Sequence, residues 1–116
     1  MTILFSGHDM KFLRHLQAYF RSVPGYRVLL DEHEGHVIRD TDRSRKLMEE
    51  ADIIFCEWCL GNAEWYSRNK GRGQILVVRL HHQEISQNLP FLDRIEWENV
   101  DSLVFICPYN MSVFLE

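Results

Sequence analysis

The feature that most limits what this chain can fold into is a regular switch between two hydrophobic periods. Short, nearly unbroken apolar runs occur at Ile3–Ser6, Tyr26–Leu30, Ile53–Cys56, Ile75–Leu80 and Leu103–Cys107. Each is strand-sized, and the third, fourth and fifth are apolar on both faces, as central parallel strands are. Between them apolar residues recur at helical spacing. Leu13, Leu16 and Phe20 give one face to a helix expected over Met10–Val23, capped by Asp9 and stopped by Pro24-Gly25. Further helices are expected over Asp42–Ala51 and Leu60–Asn69, with a short helical turn at Trp97–Val100.

Strands and helices in strict alternation predict an α/β chain: a Rossmann-like, open, mainly parallel sheet of about five strands with helices on both faces. Right-handed crossovers make 3-2-1-4-5 the default strand order. At 116 residues the chain suits one domain, 1–116. Its 46% hydrophobic content supplies a core and excludes a disordered chain. The net charge of −4 speaks against a general nucleic-acid binder.

No apolar run approaches the ~18 residues of a membrane span, and the opening Met1–His8 lacks the charge and length of a signal peptide. Three cysteines, an odd number, suit a reduced chain. The expected location is cytoplasmic, with peripheral attachment to the inner face of the membrane allowed.

In the default order the ligand crevice opens between strands 1 and 4, at their carboxyl ends. Gly7, His8 and Asp9 follow strand 1. His81, His82, Gln83 and Glu84 follow strand 4, and Glu57 and Trp58 follow strand 3. Polar and aromatic residues therefore collect at one rim. An imidazole there can act as a base or hydrogen-bond a developing charge near neutral pH, and His81, which directly ends its strand, is the catalytic candidate. A single glycine at Gly7 is neither a dinucleotide fingerprint nor a P-loop.

Cys56 and Cys59 form a C-x-x-C, but Glu57 between them disfavours thiolate. No second ligand pair has zinc spacing, and Cys107 stands alone on another strand. The expectation is packing cysteines and no metal. Trp58, Trp65 and Tyr66 either pack on the sheet or offer faces to a sugar ring, with Glu57 and Asn62 as hydroxyl partners. His33, Glu34 and His36 read as a solvated loop, and the Arg43–Lys46 run as a solvated helix face.

Four stretches, "ILFSGHD" (3–9), "ADIIFCEWCLGNAEWYS" (51–67), "VVRLHHQE" (77–84) and "VDSLVFICPYN" (100–110), resemble the N-terminal half of bacterial GT-B glycosyltransferases of the retaining "group 1" type. The E-W-C-L-G-N-A-x-W-Y-S segment is the most specific part. The resemblance implies a two-domain enzyme that transfers a sugar from a nucleotide-sugar donor to a glycan or lipid-linked acceptor hydroxyl in polysaccharide biosynthesis. It requires no metal and no cofactor.

It further implies that Gly7 and His8 approach the donor phosphates and that His81 reaches the transferring sugar. Glu57, Trp58, Asn62, His82 and Glu84 are candidates for binding acceptor or sugar, and Arg79 lies in the same stretch. The donor-binding C-terminal domain of such enzymes is not in this sequence, so the chain is expected to be inactive alone and open to self-association. The alternative is a stand-alone flavodoxin-like binding or signalling domain without catalysis.

Overall fold

A computed structural model describes residues 1–86, 90–106, 108, 111 and 112. The strands are β1 (Thr2–Gly7), β2 (Arg27–Glu32), β3 (Ile53–Glu57), β4 (Ile75–Leu80) and β5 (Ser102–Phe105); the helices are α1 (Arg14–Ser22), α2 (Thr41–Glu50), α3 (Gly61–Asn69) and α4 (His82–Ser86). Single 3-10 turns occupy Lys11–Leu13, Pro90–Arg94 and Trp97–Asn99. Cys107, expected at the end of the last strand, lies outside the described residues.

All five strands are parallel in one open sheet, so the α/β Rossmann-like expectation holds. The strand order is β2-β1-β3-β4-β5, not 3-2-1-4-5. The reason lies in the strands themselves. Ile53–Glu57 is buried or half-buried at every position, whereas Arg27–Glu32 exposes Arg27, Leu30 and Glu32. A strand covered on both faces belongs inside the sheet, so β3 crosses back over β1 and leaves β2 at the edge. The fifth strand, apolar on both faces by its pattern, forms the opposite edge, where the expected order also has it. The reversal of strand order, and with it the crevice, therefore lies between β1 and β3 rather than between strands 1 and 4.

Each face has its own core. Leu4, Ile54, Cys56, Leu76, Val78 and Leu80 point to the face covered by α2 and α3. Ile3 and Phe5 point to the other, where Leu13, Leu16 and Phe20 of the α1 segment meet Val28, Ile53 and Phe55. Asp9 accepts from the Lys11 N–H at 3.2 Å. It thus turns the chain into a 3-10 turn, and the α-helix proper starts later than Met10. Asp40 caps α2 by accepting from the Arg43 N–H at 3.0 Å, so the helix starts at Thr41, one residue before the expected Asp42.

A polar node locks the edge strand in place. Asp31 of β2 is fully buried and accepts from the Ser44 hydroxyl at 2.6 Å, the Tyr66 hydroxyl at 2.6 Å and Arg43 Nη2 at 3.0 Å. Tyr66 is thereby a core residue, while its neighbour Trp65 sits half-buried beneath the Arg45 guanidinium. Arg43, read as solvated, has a buried acid for a partner. The loop after β2, also read as solvated, folds over the start of α3. The Gly61 N–H donates to the His36 carbonyl at 2.8 Å, and a Cβ at Gly61 would collide with that same carbonyl.

Candidate functional site

The carboxyl ends of β1, β3 and β4 bring together Glu57, Trp58, Arg79 and His81. Pairing of β3 with β4 sets Glu57 beside Arg79. Both point to the α1 face, because Ile54, Cys56, Leu76 and Val78 take the other. Glu57 is completely buried. Arg79 donates to it through Nε at 3.0 Å and again through Nη2, and His81 Nε2 contacts Glu57 Oε1.

Burial by itself would raise the Glu57 carboxyl. The hydrogen bonds from His81 and Arg79, with the arginine's charge, outweigh it and hold the group below the usual range. Glu57 is therefore ionised at neutral pH and can only accept. Nε2 of His81 therefore carries a proton toward Glu57, which leaves Nδ1 as the ring nitrogen facing away from it.

Trp58 follows directly and carries φ +70. A bulky side chain in the left-handed region costs of order 1–3 kcal/mol and persists only when its surroundings enforce it. Its indole stacks on His81 with centroids 3.9 Å apart and planes 22° apart. Phe12 leans against both rings, at 5.3 Å from His81 and 6.2 Å from Trp58, and is 49% exposed at the mouth. His81 itself is 7% exposed. The Trp58 Nε1 is buried without a hydrogen-bond partner among the described residues.

His8 lies 5.6 Å from Trp58 and 4.9 Å from His36, ring to ring. Partial burial, then the neighbouring His36, lower its pKa, so it favours the neutral ring. His8 also lines a groove of about 320 Å³ with Asp9, Lys11, Arg14, Gln17 and Glu32. The groove opens beside the rim, toward β2.

The other candidates fall in different places. Gly7 is buried, and a Cβ there would press on the Glu57 carbonyl at 3.2 Å and on Met10 Sδ at 3.2 Å. Its missing side chain makes room for β3. Asn62 is buried beneath the rim with each hydrogen-bonding position in use: Nδ2 donates to the Ser6 and Glu57 carbonyls at 3.1 and 3.0 Å, and Oδ1 accepts from Leu60 and Ala63 N–H at 3.3 and 2.8 Å. It ties β1 to β3 from below.

Glu84 is 1% exposed, and its Oε2 accepts from the backbone N–H of both Cys59 and His81. His82 begins α4 and is exposed. Cys56 and Cys59 are buried free thiols whose pKa values burial pushes up, which makes them poor nucleophiles. Among the described residues no group of three or more His, Cys, Asp or Glu is arranged to hold a metal ion.

Two rim residues have no sequence signal. Phe12 reads as one more apolar residue of a helix, and His36 as part of a polar loop. Only the closure of the β2–α2 loop over α3 brings His36 to His8.

The arrangement offers an imidazole, oriented by a buried carboxylate that an arginine also pairs, between two aromatic rings at the mouth of a crevice. A hydroxyl is a group that Nδ1 can meet, because a hydroxyl both donates and accepts, and aromatic rings beside it can pack on an apolar ligand face. Family models, curated proteins and solved structures give no match to this chain, so the residues themselves carry the functional reading.

Proposed function

We propose that the chain is the acceptor-side, N-terminal domain of a glycosyltransferase that uses a nucleotide-sugar donor. The single observation that carries this is the His81 ring, held by Glu57 and stacked on Trp58 at the crevice. In this reading Nδ1 of His81 accepts from a hydroxyl of the transferring sugar. The acceptor oxygen bonds to the anomeric carbon as the bond to the nucleoside diphosphate breaks, with retention, and the acceptor proton leaves with the diphosphate. The leaving charge is met by basic groups and helix dipoles of a C-terminal partner domain. Neither metal nor cofactor is needed.

The acceptor is a glycan or lipid-linked hydroxyl in polysaccharide biosynthesis. Nucleic acid is not a partner. The enzyme works in the cytoplasm, with peripheral contact at the inner face of the membrane. No helix among the described residues is long and apolar enough to cross a membrane. On the α1 side of the sheet, β4 leaves Ile75 48% exposed, and self-association of the isolated half is part of the proposal.

The test uses the open reading frame extended past Glu116. A frame that continues into a second α/β domain, and a full protein that transfers sugar and loses at least a hundredfold in kcat with His81→Ala, supports the reading. Unchanged turnover in that variant removes His81 from the chemistry.

A stand-alone flavodoxin-like domain is the second reading, favoured by one observation: 2-1-3-4-5 is the order of that doubly wound class. Its ligand, FMN, would sit at the β1/β3 switch. A melting point raised by FMN and untouched by nucleotide sugars would put this reading first.

A further inference from the structure

Glu84 is a buried acid that the proposed chemistry does not use. Its Oε2 accepts from the Cys59 N–H at 3.0 Å and from the His81 N–H at 2.8 Å. Its Oε1 is buried with no hydrogen-bond partner among the described residues. The bond to His81 alone is what any glutamate at the third position of a helix makes to its cap residue, and α4 starts at His82. The bond to Cys59 is different. It reaches a separate turn, and it falls on the residue directly after Trp58, whose φ of +70 needs an external restraint.

We propose that Glu84 is the positioning residue of the rim: one carboxylate oxygen latches the turn carrying Trp58 to the strand end carrying His81, and so keeps the indole stacked on the imidazole. Without it, two buried N–H groups on two different loops lose the acceptor they share. The latch stands on its own geometry; its consequence for sugar transfer rests on the function proposed above for His81.

The test is made on the 116-residue chain by NMR, with amide hydrogen exchange and the His81 ring proton shifts as readouts. In the wild type the Cys59 and His81 amides are expected to be protected to within tenfold of Ile54 and Val78. The His81 ring protons are expected upfield of their positions in a Trp58→Ala reference. Glu84→Gln keeps a carbonyl oxygen for both amides and should preserve both signatures. Glu84→Ala should cost the Cys59 and His81 amides at least a hundredfold in protection and abolish the upfield shift, while Ile54 and Val78 stay protected.

An Ala variant that loses protection only within α4, with Cys59 and the ring shift intact, makes Glu84 a plain helix cap and overturns the proposal. If that variant does not fold, the other two chains decide. An unprotected Cys59 amide in the wild type, or a lost ring shift in Glu84→Gln, overturns it; protection and ring shift retained in both uphold it. No transfer assay enters, so failure of the latch and failure of the transferase reading are separate results.

Discussion

Two buried glutamates stand on either side of His81, and their surroundings oppose each other. Glu57 faces a guanidinium and an imidazole: the hydrogen bonds from His81 and Arg79, with the arginine's charge, hold it ionised in spite of burial. Among the described residues Glu84 accepts hydrogen bonds from backbone N–H groups, those of Cys59 and His81. Burial raises its pKa, and the bonds from Cys59 and His81 offset this in part. The first orients the imidazole from the side of its ring, and the second holds the same residue by its backbone. Side-chain charge and main-chain geometry are thus controlled by separate acids, and the two can be perturbed separately.

The largest effect should come from Glu57→Ala. Removing the anion leaves the Arg79 charge partly buried and the His81 N–H unpaired. Breaking a buried pair in this way costs about 3–5 kcal/mol, read by urea denaturation. A loss below about 1 kcal/mol would mean that water already screens the pair, and the contrast with Glu84 would collapse. His81→Ala should cost far less stability, about 1 kcal/mol for a hydrogen bond at the rim, while Arg79 still pairs Glu57.

Next in size is a change away from the rim. Tyr66→Phe takes one of three donors from Asp31 and should cost about 1–2 kcal/mol. It should leave the His81 ring shifts as they are. A matching change at His81 would join the Asp31 node to the rim and end the comparison as one of local sites.

The smallest and most specific effect is in pH dependence. Both glutamates start from an ordinary value of 4.5. The folded pKa of Glu57 lies below that, so its contribution is present above pH 4.5 and lost as pH falls through the folded value. For Glu84 the folded pKa lies above, so stability is highest below pH 4.5 and declines as pH rises through the folded value. Glu57→Gln should flatten the acid side of the stability–pH curve, and Glu84→Gln the side above pH 4.5. Parallel curves for the two variants would show that the two sites do not differ in sign.

The reading of particular residues shows where local pattern stops being informative. Ile75–Leu80 is a strand with the same bounds in sequence and structure, because six apolar-rich residues between turn signals admit little else. His81 was legible as a rim residue for the same reason: a strand's end is a local property. Its orientation was not. Glu57 lies 24 residues from His81, and Cys59 lies 25 from Glu84. Glu57 read as a hydroxyl partner for a ligand and became the acid behind the histidine. Asn62, also read as a ligand partner, became a brace under the strands. A polar residue near a strand end looks the same in sequence whether it points into the crevice or beneath it.

By itself the sequence determined the number of strands, their parallel packing within a two-faced sheet, and the gathering of histidine, tryptophan and acids at one edge. These follow from hydrophobic period, which each segment carries alone. Strand order was decided only in the folded chain. It depends on which strands need both faces covered, and therefore on a comparison among strands: β3 exposes no position and β2 exposes three. The tertiary structure also decided which carboxylate meets a guanidinium and which meets backbone N–H groups, because a buried acid's protonation is set by neighbours brought from distant segments.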